Sequence, residues 1–394
     1  DALSEAEKAK NSNDPSAVGT ATTDLQAAQS GLNGDSKLAT AKDQADQNIA
    51  KLPNLSDGQK DIAKQNISNA QTTSDVQQAE QTAKTWNDNL GKLNQAISAA
   101  KKAKTSSNYT EADSGQQKAL DDALSEAEKA KNSNDPSAVG TATTDLQAAQ
   151  SGLNGDSKLA TAKDQADQNI DDVAKAAKQA IDNTNGITES EKQAAKGQVD
   201  TDAKAAKGAI DKADSKDAVT NEVNNGTVAI NKEAANAAID GALAEKNKSI
   251  DTAPNLTDEE KQSVKDQAKK AADSAKSAIN KAQDNDAVKQ AQTDGVNNIN
   301  GITVPADSGV KKKAKNAIDQ AAQKKNEAIE NSKLTDEEKA DLKQQVSDAV
   351  NKAKAAIDDA KKADDVNTAQ TSGEKDINAV EIPKSSKTKN DANK

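Results

Sequence analysis

The chain has 394 residues, with 53 basic against 64 acidic side chains, a formal net charge of −11 at pH 7, and no Cys, Met, Phe or His. Without Cys or His, thiol chemistry, a zinc site of the usual kind and a Ser/His/Asp triad are excluded. An acidic chain that also lacks Arg is a poor nucleic-acid binder, and no run approaches the roughly 18 apolar residues needed to span a membrane.

Much of the 33% hydrophobic fraction is Ala, and Trp86 and Tyr109 are the only aromatic side chains. Ala supplies little burial, so one large globular core is not expected. Disorder is opposed by the near balance of charges and by the abundance of Ala, Lys, Gln and Glu, all strong helix formers. Small, repeated helical units are what remain.

The N-terminus, "DALSEAEKAK", begins inside a repeat: Asp1–Ile49 recurs letter for letter as Asp122–Ile170, at an offset of 121 residues. Asp14-Pro15 and Asp135-Pro136 place Pro in the first helical turn behind a capping Asp. Pro53 ends the next helix, and Ser56 with Gln59 forms a capping box that opens another. Val76, Ala79, Ala83, Trp86, Leu90, Leu93 and Ile97 then follow unbroken 3,4 spacing. That is a heptad seam over a helix of about thirty residues, or roughly 45 Å. The seam assigns Trp86 to a core. Tyr109, in "SSNYTEAD", is expected in a loop, packed over a bundle end; the sequon Asn108-Tyr109-Thr110 carries little weight alone.

The second half carries three copies of another unit. "NGITESEK", "PNLTDEEK" and "SKLTDEEK" align, as do segments around Gly226, Gly295 and Gly373, at offsets of 69 and 78 residues. Each copy opens with an Ile pair eleven residues apart (Ile170/Ile181, Ile239/Ile250, Ile318/Ile329), which places both members on one helix face. Capping boxes follow at Thr188/Glu191, Thr257/Glu260 and Thr335/Glu338. The position after each box Glu or Gln is Lys, so no hydrophobic staple forms, and Leu55, Ile187, Leu256 and Leu334 are expected to tuck into the bundle. A third helix starts near Lys216, Asn285 and Asp364, giving three helices per unit. Nothing halts the first of these before Ser249, so two units are expected to share one helix, whereas Gly301 and Pro305 break the next junction. "LNGD", "TNGI" and "INGI" read as helix stops with Gly in the left-handed conformation, and no sheet is predicted. Lys runs such as "VKKKAKN" read as solvated faces. "TDEEK" lacks the alternating pattern of a calcium loop, and helix capping accounts for it.

These residues bring a resemblance into view. "NYTEADSGQQKAL…LNGD" (108–156) resembles the FIVAR module of Gram-positive surface proteins, and "SKLATAKDQADQNIAKLPNLSDGQKDIAKQNI…" (36–83) resembles the GA module, a three-helix bundle. FIVAR–GA pairs resemble giant Ebh-type matrix-binding surface proteins. The later units are similar to tandem repeats of unknown function in SasC- and FmtB-type surface proteins. The expected fold is all-α: tandem three-helix bundles stacked end to end into an elongated rod, with some long helices shared. The expected modules are 1–34 (end of a FIVAR-like module), 35–88 (GA-like), 89–155 (FIVAR-like), 156–231, 232–303 and 304–384 (three-helix repeats), and 385–394 (start of a next repeat).

The resemblance implies an extracellular protein, anchored to the cell wall through parts outside this chain, that acts as a monomeric, non-enzymatic stalk projecting a distal binding region. No catalytic, cofactor-binding or metal-ligating residue is assigned, and no nucleic acid or membrane insertion is expected. The alternative is a repeat region that itself binds host matrix or serum proteins, such as fibronectin or albumin, weakly through avidity. Some GA modules bind albumin through aromatic and aliphatic residues around the second helix; here that stretch carries no aromatic residue.

Overall fold

In a computed structural model, which describes residues 1–388, the chain is helical throughout, and no strand forms among the described residues. The expected start of a further repeat at 385–394 lies partly outside the described residues, from 389 onward. Contacts divide the chain into two units, one of Asp1–Ala162 with Asp214–Lys216, the other of Lys163–Ala213 and everything from Asp217 onward.

The first unit holds α1 (Ala2–Ala9), α2 (Pro15–Ser30), α3 (Gly34–Ala50), α4 (Asp57–Asn69), α5 (Thr73–Ala103), α6 (Ser107–Thr110), α7 (Ser114–Ala130) and α8 (Pro136–Ser151). The heptad helix is α5, and it serves two bundles. Its first half, with Val76 and Ala83, closes a core with Ala45, Ile49, Ala63 and Ile67 from α3 and α4. Its second half, with Trp86, Leu90, Leu93 and Ile97, closes a second core with Leu120, Leu124, Val139 and Leu146 from α7 and α8. A capping box that the sequence reading did not identify, Thr72 with Asp75, opens this helix.

The duplicated string fares differently in its two places. Leu124, Val139 and Leu153 are 9%, 0% and 9% exposed, whereas their counterparts Leu3, Val18 and Leu32 are 62%, 39% and 79% exposed. The second copy has the latter half of α5 against it, while α1 and α2 of the first copy pack mainly on each other.

The second unit holds most of α9 (Gly155–Asp182), α10 (Glu189–Lys212), α11 (Lys216–Asp251), α12 (Asp258–Lys281), α13 (Asn285–Asn300), α14 (Gly309–Glu330), α15 (Asp336–Asp359) and α16 (Ala363–Asn378). All six residues of the Ile pairs are fully buried. Second helices bring Val199, Ala206 and Ile210, then Ala268, Ala275 and Ile279, then Val346, Ala353 and Ile357. Third helices bring Val219, Gly226 and Ile230, then Val288, Gly295 and Ile299, then Val366, Gly373 and Ile377. Helix α11 runs unbroken for 36 residues, as the third helix of one repeat and the first of the next. It therefore buries residues on more than one face, Val219 and Ile230 for one bundle and Ala235, Ile239 and Ile250 for the other. Gly301 and Pro305 fall in the break between α13 and α14.

The mid-helix glycines mark the tightest point of each bundle. A Cβ on Gly226, Gly295 or Gly373 would lie 2.4 Å from the Cβ of Ala206, Ala275 or Ala353, and within 3.0 Å of Cδ1 of Ile170, Ile239 or Ile318. Each glycine is thus where the third helix touches the second and the first together, which offsets its poor helix propensity.

Side chains satisfy many of the helix ends, those of the second helices above all. The four expected capping boxes form, with the Ser or Thr hydroxyl accepting from the third helical N–H and the Glu or Gln accepting from the cap N–H. Asp14 and Asp135 cap α2 and α8 ahead of Pro15 and Pro136. Leu55, Leu256 and Leu334 are buried, and Ile187 is half-buried. At the other end of each second helix a first-helix lysine donates to the carbonyl just past the last Ile. Lys42 reaches Ser68 at 2.7 Å, Lys163 Asp211 at 2.7 Å, Lys232 Asn280 at 3.0 Å and Lys311 Asp358 at 2.8 Å.

Three sequence expectations need correction. Lys311, inside the run read as a solvated face, is 5% exposed, because its ammonium is drawn in by the free carbonyl at the end of α15. Among the described residues only Gly186, in "TNGI", has positive φ, at 87°. The Gly of "INGI", Gly301, keeps right-handed geometry, and those of "LNGD", Gly34 and Gly155, open helices instead of ending them. A Cβ on Gly155 would lie 2.5–2.6 Å from the carbonyl oxygens of Asn108 and Ser107, so close approach, not φ, requires glycine there. Tyr109 sits in the one-turn helix α6, not in a loop.

Two outcomes follow from this packing. Gly295→Ala should lower stability by about 1–3 kcal/mol through overpacking, although helix propensity alone favours Ala by up to about 1 kcal/mol. Gly208→Ala on α10, where a Cβ meets nothing within 4 Å, should raise it. Urea midpoints by circular dichroism read both, and a stabilised Gly295→Ala would contradict the close approach. The second concerns acid. The Glu338 carboxyl is lowered from 4.5 to about 2, first by the Thr335 amide and then by Ser386, Thr388 and Lys387. A depressed carboxylate contributes stability fully present above pH 4.5 and lost as pH falls toward 2. Urea midpoints should be flat down to that point and then fall; a flat profile through the acid range would contradict the assignment.

Candidate functional site at the repeat seams

The residues that most invite a ligand reading have structural partners. Trp86 is 3% exposed in the α5–α8 core. The Tyr109 hydroxyl donates to Asp121 at 2.9 Å, which together with burial holds its pKa above the ordinary tyrosine value, and Lys104 sits 5.5 Å from its ring centre. The "NYT" and "LNGD" motifs meet each other. Asn108 accepts from the Asp156 amide at 3.0 Å, Ser107 donates to Asp156 at 2.8 Å, and Asn154 donates to Asp113 at 2.9 Å. The sequon asparagine is therefore engaged as a cap for α9. Among the described residues no cluster of three or more carboxylates is placed to hold a metal ion. No helix among them is long and apolar enough to cross a membrane.

Polar groups also bond across the places where one module meets the next. At the seam between the second and third repeats, the turn Thr257–Glu260 engages all three helices of the following repeat. The Asp258 amide donates to the Lys361 carbonyl past the end of α15 at 2.8 Å. Glu259 accepts from the Ala363 amide that opens α16 at 2.9 Å. Glu260 accepts from the Val310 amide in the first turn of α14 at 3.2 Å. Burial pushes the Glu260 carboxyl up, but bonds from Ser308, Thr257, Val310 and Gly309 outweigh this and hold it below its ordinary value. The Ala363 amide does the same for Glu259. Thr257 and Ser308 are both buried in this seam.

The next seam repeats part of the pattern. Glu338 accepts from the Lys387 amide at 3.0 Å and from the Thr388 hydroxyl at 3.3 Å. In the first unit, Gln59 instead donates to the carbonyls of Lys131 and Ser133 at 3.2 and 2.9 Å, beyond the end of α7. Where a third helix ends, a lysine four residues before the second Ile of the pair closes it. Lys246 donates to Asn300 and Ile302, and Lys325 to Asn378 and Val380, all at 2.8–2.9 Å. The same position in the first repeat is Ala177, and there the third helix does not end.

The capping boxes are legible in the sequence, but each Glu or Gln reads there as a cap of its own helix alone. The lysines that close the second helices carry a sequence signal too: a Lys stands seven residues before Ile49, Ile170, Ile239 and Ile318 alike.

Comparison with known proteins matches this arrangement module by module. Residues 35–89 match the GA module and 89–154 the FIVAR domain. Residues 162–232, 231–307 and 310–385 match the Domain of Unknown Function DUF1542. The extracellular matrix-binding protein ebh of Staphylococcus aureus (strain MRSA252) is 36% identical over 189 residues, covering 47% of this chain and 2% of that protein. Extracellular matrix-binding protein EbhA of strain Newman has the same identity over the same length, 5% of its own. The chain thus spans a few per cent of these relatives. A crystal structure of the EbhA 756-1003 domain from Staphylococcus aureus is 25% identical with a TM-score of 0.42, covering 57% of this chain and 86% of that one. Because its three DUF1542 matches span more than half of its length, and GA and FIVAR modules precede them, this chain belongs to the DUF1542 family.

Proposed function

We propose that this chain is a non-enzymatic stalk segment of a bacterial cell-surface adhesin, which sets a distal binding region away from the cell wall. The observation that carries the reading is the use of polar side chains on helix ends and on neighbouring modules within each unit. Repeat units that contact only their neighbours are interchangeable, which suits a verbatim duplication. Module boundaries near residues 34, 88, 155, 231, 303 and 384 belong to the same proposal, as do a monomeric state, an extracellular location and wall anchoring through other parts of a longer protein. That the relatives are named as extracellular matrix-binding proteins agrees with a surface role.

The relatives' name also favours a second reading, in which the repeats themselves hold a host matrix or serum protein through many weak contacts. Against it, the large apolar side chains exposed among the described residues are Leu3, Val18 and Leu32, all in the first 34 residues and not at the module period.

Small-angle scattering on the whole chain separates the stalk from a compact particle. Helices rising 1.5 Å per residue in five to six end-to-end bundles give a length of roughly 200–280 Å. The radius of gyration would then be several times the roughly 21 Å of a compact chain of this size. A value near the compact figure would overturn the stalk reading. The stalk reading also expects no binding of fibronectin or albumin at micromolar concentration by surface plasmon resonance; saturable binding there would favour the second.

A further inference from the structure

In the capping boxes that open second helices, the Glu or Gln side chain has two polar atoms and uses only one on its own helix. The cap N–H is accepted by Oε1 of Gln59 at 2.9 Å, and by Oε2 of Glu191, Glu260 and Glu338 at 2.7, 3.1 and 3.0 Å. The other atom faces outward, and what it meets differs from module to module. Oε1 of Glu260 and of Glu338 meets backbone N–H groups at the start of the next repeat. Nε2 of Gln59 meets backbone carbonyls that follow α7. Glu191, whose repeat passes into the next through the unbroken α11, takes no hydrogen bond from another repeat among the described residues and feels only the charge of Lys276 on α12.

The chemistry of the two helix ends explains the choice. The first turn of a helix presents unpaired N–H groups and positive potential; the last presents unpaired carbonyls and negative potential. A carboxylate only accepts, while a carboxamide has one atom that accepts and one that donates. Glu and Gln are nearly the same shape and both complete a capping box, so exchanging them preserves the bond to the module's own helix and inverts the outward one. Burial sharpens the discrimination: Gln59 is 2% exposed, and a mismatched polar atom there has no water to turn to.

We propose that the third residue of the capping box opening a second helix specifies which neighbour a module docks onto. Glu selects the N-terminal turn of another three-helix repeat, one entered through a non-helical link such as 305–308 or 383–386. Gln selects the C-terminal end of the first long helix of a FIVAR-type bundle. This pairing rule stands whether or not the chain serves as a stalk, because it concerns which modules can be adjacent and not what the assembly does.

Hydrogen exchange on the full chain tests it, with segments read separately. Glu260→Gln should leave exchange over residues 258–262 near wild type, because Gln still completes the box. Over 309–312 it should speed exchange about tenfold, the size of one lost charge-assisted hydrogen bond. Glu191→Gln removes the same charge from the same place in its own box and, losing only a through-space attraction to Lys276, should leave backbone exchange in neighbouring repeats unchanged. Gln59→Glu should speed exchange over 131–137 and spare 57–61. If Glu260→Gln and Glu191→Gln behave alike, or if 309–312 is unmoved, the outward atom has no role in pairing and the proposal falls. If Glu260→Gln instead opens 258–262, Glu260→Ala provides the comparison. Equal effects of the two variants on 258–262 and 309–312 would mean that the residue only caps its own helix, and this too would overturn the rule.

Discussion

The constraint on which each repeat depends is the approach of three helices to one another without large side chains to fill the space between them. With no Phe or Met and only Trp86 and Tyr109 as aromatics, the bundles must gain contact through proximity. The third helix supplies a glycine where the second supplies an alanine and the first an isoleucine, as at Gly226, Ala206 and Ile170. Dispersion and apolar burial are recovered because backbones come close, not because side chains are big. The same triple contact recurs at Gly295 and Gly373, which suggests that the glycine is a fixed requirement of the unit and not a tolerated weakness.

Short bundles have many helix ends per residue, and each end leaves amides or carbonyls without partners. The chain answers with a small set of devices used repeatedly: capping boxes at the start of second helices, and first-helix lysines at their close. The GA-type module and the three-helix repeats share the lysine device, Lys42 doing for Ser68 what Lys163, Lys232 and Lys311 do for Asp211, Asn280 and Asp358. Two differently classified modules are in this respect one construction. Surface Lys–Asp pairs between helices, such as Lys276–Asp240 and Lys354–Asp319, add to this only weakly, since exposed pairs contribute little.

The duplicated segment shows how far identical letters can diverge. After Ile49 the chain reads on to Leu52-Pro53 and the helix ends; after Ile170 it reads Asp171-Asp172-Val173 and continues to Asp182. Upstream, the same leucines and valine are buried at Leu124, Val139 and Leu153 and exposed at Leu3, Val18 and Leu32. The pattern of apolar spacing is a property of the string, whereas burial is a property of what lies against it. The latter half of α5 makes the difference in the second copy.

Most of the helical architecture was legible in the letters, for local reasons. Capping boxes, Pro after a capping Asp, Ile pairs three turns apart and an unbroken heptad stripe are all decided within one helix, so α5, α10, α12, α15 and the shared α11 could be drawn from sequence alone. What resisted was every feature set by two helices at once. Lys311 looked solvated because nothing in "VKKKAKN" says that the end of α15 lies beside it. Gly155 looked like a helix stop because its need for space comes from Ser107 and Asn108, nearly fifty residues away. The outward atom of Glu260 had no visible duty until Val310 was placed against it. Sequence by itself determined where helices begin, which face is apolar and which units repeat, because those follow from contacts a few residues apart. Tertiary structure alone decided which lysines are buried, which glycines are obligatory and what each cap meets outside its own helix, because those depend on distances between segments that the order of residues does not contain.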